Sequence, residues 1–230
     1  MKEKLYFIPG LMCDERLWSR MAPYLEDKYE LIYLKIPHTL DFDEINTILN
    51  EQIKEDNIKL LGFSLGGYIS LNYSLKYPQK VSQLFLLAAS GSVSSKKEID
   101  RRRKMMIEAR DFDFEAPGVD KIYTLIDENS NNDLEMINLI QDMFLHLGRE
   151  IFEMQLQLTF ERKNLLKETI ASTMPLNIIY GDKDRLVDDN WIKELEKQRS
   201  KNISFKSIST TSHNIPLDFP KEISQEILRS

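Results

Sequence analysis

The sequence predicts an α/β fold, in which a mostly parallel β-sheet carries helices on both faces. Three observations support this prediction. Short runs of apolar residues, which are typical of buried strands, recur along the chain. Between them lie segments in which apolar residues recur every three or four positions, as on one face of a helix. Strand and helix alternate, and this alternation favours a parallel sheet because each parallel strand needs a crossover connection.

The composition indicates one globular domain with a sizeable core. The chain has 230 residues, of which 42% are hydrophobic and 30% are charged. Its formal net charge of −6 argues against nucleic acid as a general partner. The single cysteine, Cys13, excludes a disulfide framework and a cysteine-based zinc site. Because no apolar stretch is long enough for a signal peptide or a membrane span, we expect a cytoplasmic protein.

Four predicted strands fall in the first part of the chain. They are residues 5–8, 31–36, 58–61 and 84–89. The spacing of apolar residues between positions 17 and 25 predicts a helix that packs on the sheet. A second helix, with its N-cap at Asp41 or Asp43, is predicted before the third strand. A third helix follows that strand and ends at Tyr77, before Pro78.

The alternation of strands and helices stops after the fourth strand. Residues 92–174 contain only amphipathic helical patterns, at 99–109, 134–147 and 151–160. Strand patterns return at 176–180 and 203–208, with a helix predicted after each, and the last strand is polar enough to be an edge strand. We therefore predict a core of residues 1–91 and 175–230 with a helical insertion at 92–174.

Ser64 lies between Gly62 and Gly66, where a predicted strand passes into a predicted helix. A G-x-S-x-G pattern at such a junction is typical of a nucleophile elbow, a tight turn that lifts the serine hydroxyl above the sheet. Glycine suits both positions because a side chain there would collide with the turn. The short pattern also occurs by chance, with small residues that serve only packing. The flanking strand and helix favour Ser64 as a nucleophile.

A serine nucleophile needs a base beside it, because its hydroxyl is weakly nucleophilic near neutral pH. Histidine has a suitable pKa, and the chain has three histidines, His38, His146 and His213. His213 follows the last predicted strand, at the carboxyl edge of the sheet where Ser64 also emerges. We therefore predict His213 as the base, against the alternative of an ordinary surface histidine.

The base in turn needs a carboxylate that orients it and stabilises the imidazolium. Three aspartates after the fifth predicted strand are candidates, Asp182, Asp184 and Asp188. Each of them could equally be a solvated loop residue. The order serine, aspartate, histidine along the chain is the order expected in α/β-hydrolases.

Stabilisation of a tetrahedral intermediate requires N–H donors directed at the developing oxyanion. The backbone N–H of Leu65, directly after Ser64, is one predicted donor. The other is expected from residues 9–11, the loop after the first strand, where Gly10 allows a close approach of the backbone.

In the order and spacing of these motifs, the chain resembles the α/β-hydrolase superfamily over essentially its full length. The matching segments are residues 8–18, 62–67 and 180–184, together with Ser212, His213, Asp218 and Pro220. The resemblance implies Asp184 as the carboxylate and Leu11 as the second oxyanion donor. It also implies a six-stranded sheet, residues 92–174 as a helical cap inserted before the last two strands, and no cofactor or metal.

Two segments depart from the pattern of the superfamily. The oxyanion loop has Pro9-Gly10 where His-Gly is usual, and the loop after the second strand lacks the common Pro-Gly-His-Gly sequence. Neither departure removes a predicted catalytic group.

The resemblance implies a serine carboxylesterase that acts on a small acyl substrate. Other members of the superfamily are lyases, thioesterases or C–C bond hydrolases, and some related proteins are signalling receptors that turn over slowly. The substrate depends on residues 92–174, where six of the nine methionines fall. These methionines either line a pliable acyl pocket or fill gaps in the core.

A basic run, Arg101 to Lys104, lies in the first predicted helix of the insertion. Its ordinary interpretation is a solvated helix face. The alternative is a docking site for an acidic carrier protein at Arg101–Arg103, which resembles how some carrier-protein methyl esterases engage their substrates.

Overall fold

A computed structural model describes residues 2–111 and 113–230 of the chain. Met1, within the predicted core, and Phe112, within the predicted insertion, lie outside the described residues. A six-stranded sheet forms the centre of the fold. Its strands are β1 Glu3–Ile8, β2 Tyr29–Tyr33, β3 Ile58–Phe63, β4 Val81–Leu87, β5 Leu176–Gly181 and β6 Ile203–Ile208.

The strand order is β2-β1-β3-β4-β5-β6, and every neighbouring pair is parallel. The α/β prediction is therefore confirmed, with a sheet that is wholly parallel. Inner strands are apolar because helices cover them, and Leu84, Phe85 and Leu86 of β4 are fully buried. Strand β6 is an edge strand, as its polar sequence predicted, and it exposes Ser204 and Lys206.

The helices accompany the strands in the order that the crossover connections require. The α-helices are α1 Ala22–Leu25, α2 Phe42–Gln52, α3 Leu65–Lys76, α4 Lys96–Asp111, α5 Val119–Tyr123, α6 Leu134–Leu158, α7 Leu166–Ala171, α8 Asp189–Lys197, α9 Ile215–Asp218 and α10 Pro220–Arg229. Helix α3 packs on β1, β3 and β4 and contacts α2, whereas α1 contacts α10. Asp41, one of the two predicted caps, is the N-cap of α2 and accepts a hydrogen bond from the backbone N–H of Asp43.

The prediction of one continuous helix between positions 17 and 25 is wrong. The chain forms a 3-10 helix at Glu15–Trp18 and then the short α1. Pro23 explains the break, because in a continuous helix its ring would clash with the carbonyl group one turn earlier. At the second position of α1 the missing proline N–H costs nothing.

Helices α4 to α7 lie between β4 and β5 in the chain, so the helical region is inserted before the last two strands. Helix α6 is kinked at Gly148, whose φ of 78° and ψ of 175° are not helical. Glycine tolerates this conformation at no steric cost. The kink separates two helical parts that correspond to the segments predicted at 134–147 and 151–160.

A small apolar cluster joins the insertion to the loop after β1. Its buried members are Met12, Phe152 and Leu156, and the rings of Phe114 and Phe144 pack against it. The insertion is thus held over the carboxyl edge of the sheet. Within residues 2–111 and 113–230, no helix is both long and apolar enough to cross a lipid bilayer.

Candidate active site

Ser64 stands in a sharp turn between β3 and α3. Its backbone has a φ of 52° and a ψ of −115°, a region that residues with a Cβ atom rarely occupy. Its N–H donates to the carbonyl oxygen of Leu87 at 2.9 Å, and its own carbonyl oxygen accepts from the N–H of Tyr68 at 3.1 Å. These bonds tie the turn to β4 and to the first turn of α3, which stabilises the strained conformation.

The glycines on either side of Ser64 are required by close backbone contacts. A Cβ atom on Gly62 would lie 2.5 Å from the carbonyl oxygen of Gly66. A Cβ atom on Gly66 would lie 2.2 Å from the carbonyl oxygen of Pro9. Both distances are far below van der Waals contact, so the turn tolerates no side chain at these positions. Gly66 also brings the start of α3 against the loop after β1.

His213 connects Ser64 to Asp184. The Nε2 atom of His213 is 2.8 Å from the hydroxyl oxygen of Ser64, and its Nδ1 atom is 2.7 Å from Oδ2 of Asp184. A carboxylate only accepts hydrogen bonds, so Nδ1 carries the proton and Nε2 presents its lone pair to Ser64. The other oxygen of Asp184 accepts from the N–H of Leu186 at 2.9 Å. The structure therefore brings these three predicted residues into one hydrogen-bonded chain.

Burial separates this aspartate and this histidine from the other candidates. Asp184 is 5% exposed and His213 is 9% exposed. Asp182 is exposed and accepts from the N–H of Thr210, whereas Asp188 caps α8. These two aspartates have structural partners of their own, and neither is hydrogen-bonded to a histidine within the described residues.

The two remaining histidines do not line the cavity that contains Ser64, as far as the described residues show. His38 is exposed, with Nε2 3.7 Å from the carboxylate of Glu150, and His146 is exposed on α6. Neither has a recorded hydrogen bond to Ser64 in the described part of the chain.

The backbone N–H groups of Leu11 and Leu65 have no acceptor among the described residues. The loop that carries Leu11 is closed by a hydrogen bond from the N–H of Cys13 to the carbonyl oxygen of Gly10, 3.2 Å long. Gly10 allows this loop to approach β3, since a Cβ atom there would lie 2.7 Å from the ring of Phe63. Free N–H donors beside a serine hydroxyl are what an oxyanion needs.

Ser64 and His213 open into a cavity of about 970 Å³ beneath the insertion. Apolar side chains from the insertion form much of its wall, among them Met105, Phe144 and Phe152. Of the six methionines predicted in the insertion, Met105 alone is among the residues that line the cavity within the described ranges. Met136, Met143, Met154 and Met174 are buried in the core instead. No cluster of three or more metal-ligating side chains occurs among the described residues.

The segment that carries His213 is fastened to the insertion. The carbonyl oxygen of Leu125 accepts from the N–H of His213 at 3.0 Å and from the N–H of Asn214 at 2.9 Å. Asp218 accepts from the hydroxyl group of Ser212 and from the N–H of Asp127. The position of the histidine thus depends on contacts with the insertion, for which the sequence indicated a role only in substrate choice.

Two residues of the site escaped prediction. Gln155 of α6 is 3% exposed and accepts a hydrogen bond from the N–H of Met12, and Arg162 lines the cavity. Gln155 interrupts the apolar face that Phe152 and Leu156 define. A polar residue on such a face could have been recognised in the sequence as a residue with a specific partner. Arg162 follows the last helical turn of this segment and carries no such signal.

Comparisons with known proteins agree with this architecture. The model of the family described as serine aminopeptidase, S33, matches residues 38–219. An uncharacterized hydrolase, YugF, from Bacillus subtilis (strain 168) is 24% identical, over 98% of this chain and 89% of that protein. A pimeloyl-[acyl-carrier protein] methyl ester esterase from Wigglesworthia glossinidia brevipalpis is 22% identical, over 92% of this chain and 86% of that protein.

Solved structures share the fold at low sequence identity. A thermophilic esterase from Thermogutta terrifontis superposes with a TM-score of 0.84 and 20% identity, over 100% of this chain and 89% of that chain. An enol-lactonase from Burkholderia xenovorans LB400 superposes with a TM-score of 0.83 and 14% identity, over 100% of this chain and 91% of that chain.

Proposed function

The chain belongs to the serine aminopeptidase S33 family of the α/β-hydrolase superfamily, and on that premise we propose that it cleaves carboxylic esters of small acyl substrates. Ser64 is the nucleophile, His213 the general base and Asp184 the residue that orients the base. The N–H groups of Leu11 and Leu65 stabilise the oxyanion. The reaction is acyl transfer to water and uses no cofactor.

The hydrogen-bonded chain from Ser64 through His213 to Asp184 carries this proposal. Its two distances, 2.8 Å and 2.7 Å, are those of direct hydrogen bonds. Because Asp184 keeps the proton on Nδ1, the basic Nε2 atom faces the hydroxyl group of Ser64. The low exposure of this aspartate strengthens the interaction, since little water competes for the carboxylate.

The proposed cycle has two acyl-transfer steps. The oxygen of Ser64 attacks the ester carbonyl carbon while His213 takes the hydroxyl proton, and the tetrahedral oxyanion forms opposite the two N–H donors. Its collapse breaks the ester bond, and the alcohol leaves with the proton from His213. A water molecule then gives a proton to His213 and attacks the acyl-enzyme. Collapse of the second tetrahedral intermediate breaks the bond to the serine oxygen, which takes the proton back from His213, so the carboxylic acid is released and Ser64 is restored.

Labelling with a fluorophosphonate probe tests the nucleophile directly, because the probe reacts only with an activated serine. We expect labelling of the wild-type protein and none of Ser64→Ala. A panel of chromogenic esters and aminoacyl anilides then tests the reaction class, with thioesters and C–C substrates as further arms. Slow turnover of every substrate, with a ligand-dependent rise in melting temperature, would instead favour a binding protein.

A second proposal concerns a carrier-bound substrate, since one relative is a methyl ester esterase that acts on an acyl carrier protein. Arg101 and Arg103 are exposed on α4, and Arg101 lines the cavity. Arg102 points inward, so the basic run is not a uniform solvated face. Changing Arg101 and Arg103 to Ala should slow hydrolysis of a carrier-bound ester more than that of the free ester. An equal effect on both substrates would remove this proposal.

A further inference from the structure

Arg162 is a cavity residue whose guanidinium forms no ion pair within residues 2–111 and 113–230. It follows the 3-10 helix at Thr159–Glu161 and lines the same cavity as Ser64. Its Nε atom is buried and has no hydrogen-bond partner. Burying a charge without a partner is costly, so such a group needs an explanation.

Tyr68 holds this arginine in place. The guanidinium lies over the ring of Tyr68, 4.9 Å from its centre. The Tyr68 hydroxyl accepts from the N–H of Lys163 at 2.7 Å and donates to the Lys163 carbonyl oxygen at 3.0 Å. Tyr68 in turn lies one turn of α3 beyond Ser64 and bonds to it through the backbone. The ring of Tyr68 thus anchors the guanidinium of Arg162 against helix α3, which begins directly after Ser64.

Arg102 stands beside Arg162 but is already neutralised. Its side chain is 14% exposed, forms an ion pair with Glu98 and donates to the Ser94 hydroxyl oxygen at 2.9 Å. Burial, and then the nearby Arg102, lower the pKa of Arg162 to about 10. The carboxylate of Glu98 raises the pKa of Arg162 against these effects, but Glu98 forms its ion pair with Arg102. Arg162 therefore stays protonated at neutral pH, and the two arginines share one carboxylate, which leaves one positive charge uncompensated.

The acidic residues that line the cavity do not supply this missing charge. Glu108, Asp113 and Glu115 are exposed, and Glu108 lies 3.7 Å from Lys104. Asp184 is already bonded to His213. Glu98 is the carboxylate that acts on both arginines, and its ion pair is with Arg102, so we expect the counter-ion of Arg162 to enter through the cavity.

We propose that Arg162, with Arg102 beside it, binds a carboxylate group of the substrate, so that the ester cleaved at Ser64 is a monoester of a dicarboxylic acid. A planar guanidinium matches a carboxylate through two parallel hydrogen bonds. A carboxylate carries the single negative charge that the site lacks, whereas a phosphate monoester carries nearly two. The claim that this substrate is hydrolysed rests on the proposed esterase function. The claim that its carboxylate binds at Arg162 does not.

Binding is measured by titration calorimetry on Ser64→Ala, which keeps the substrate intact, with monomethyl adipate as the probe. Adding Arg162→Gln should weaken binding by about 10- to 100-fold, because several charge-assisted hydrogen bonds are lost. Lys163→Gln is the matched control, since it removes a neighbouring positive charge from an exposed side chain. We expect the control to bind as Ser64→Ala does. Equal binding by both variants would overturn the proposal.

Turnover gives an independent comparison. Wild-type protein should hydrolyse monomethyl adipate with a higher kcat/KM than the methyl ester in which an isopropyl group replaces the free carboxylate. Arg162→Gln should lower kcat/KM for the charged ester and leave it nearly unchanged for the neutral one. A similar fall for both esters would mean that Arg162 serves structure only, and would overturn the proposal.

The outcomes separate this inference from the proposed function. Binding that depends on Arg162, without hydrolysis of any ester, would contradict the esterase and keep the carboxylate site. Hydrolysis of neutral esters, together with binding that does not depend on Arg162, would support the esterase and contradict the carboxylate site. If Arg162→Gln does not fold, Arg162→Lys replaces it. That variant keeps the charge but loses the planar fork, and should bind the monoester more weakly than the arginine does.

Discussion

The side-chain carbonyl oxygen of Gln155 accepts a hydrogen bond from the backbone N–H of Met12, 2.8 Å away. Met12 follows Leu11, whose own N–H is a proposed oxyanion donor, and its φ of 56° marks a strained turn. A residue of the inserted helix α6 thus holds the loop that carries the proposed oxyanion donor. The insertion therefore contributes to the geometry of the proposed oxyanion site as well as to the cavity wall.

Gln155→Met should lower kcat by roughly 10- to 100-fold with little change in KM, because a displaced donor weakens transition-state stabilisation more than substrate binding. The change keeps the length of the side chain and removes the acceptor. Steady-state kinetics with a chromogenic ester measure the effect. Gln157→Met is the control, since Gln157 is exposed on the same helix. A fall in kcat that is the same in both variants would contradict a positioning role for Gln155.

Asp184→Asn should lower kcat by about 10⁴-fold while the fold persists, because an amide no longer holds the proton on Nδ1 of His213. Asp182→Asn, two residues earlier and exposed, should retain nearly full activity. Rates with one ester, together with circular dichroism of both variants, test this expectation. High activity of Asp184→Asn would transfer the orienting role to another carboxylate.

The free energy of unfolding of Ser64→Gly should be about 1 kcal/mol higher than that of Ser64→Ala, because glycine relieves the strain at a φ of 52° and alanine does not. Both variants should lack esterase activity, so the comparison isolates stability from catalysis. Urea denaturation at equilibrium measures the difference. Equal stability of the two variants would show that the turn stores no strain at this position.

Asp218 should make stability depend on pH. Burial raises the pKa of Asp218 above its ordinary value of 3.8, and the nearby Asp127 carboxylate adds to the rise, against the hydrogen bonds from Ser130, Ser212 and the N–H of Asp127. A raised pKa means that the folded state binds the proton more tightly than the unfolded state. Stability is therefore lost as the pH rises from 3.8 through the folded pKa.

Asp218→Asn removes this titration and keeps an oxygen that accepts from the Ser212 hydroxyl and the Asp127 N–H. The melting temperature of the variant should rise relative to that of the wild type as the pH is raised from about 4 to about 7. A constant difference across this range would contradict the prediction. Asp113→Asn, which changes an exposed carboxylate in the insertion, serves as the control.

Local patterns explain the part of the fold that could be predicted. Residues 84–87 of β4 form a continuous apolar run because both faces of the strand are covered there, and the kinked α6 appears in the sequence as two amphipathic segments. Pro23 shows the limit of such patterns. The apolar spacing around it is helical, but its ring stops a continuous helix.

The sequence by itself determined the α/β fold, the turn at Ser64 and a short list of partners for it, because periodicity and glycine spacing are local properties of a chain. Only the tertiary structure decided that Arg102 points inward, that Gln155 reaches Met12 and that Arg162 lies unpaired over Tyr68. These contacts join residues far apart in the chain. Their geometry depends on how the insertion packs over the sheet, and no local pattern specifies that packing.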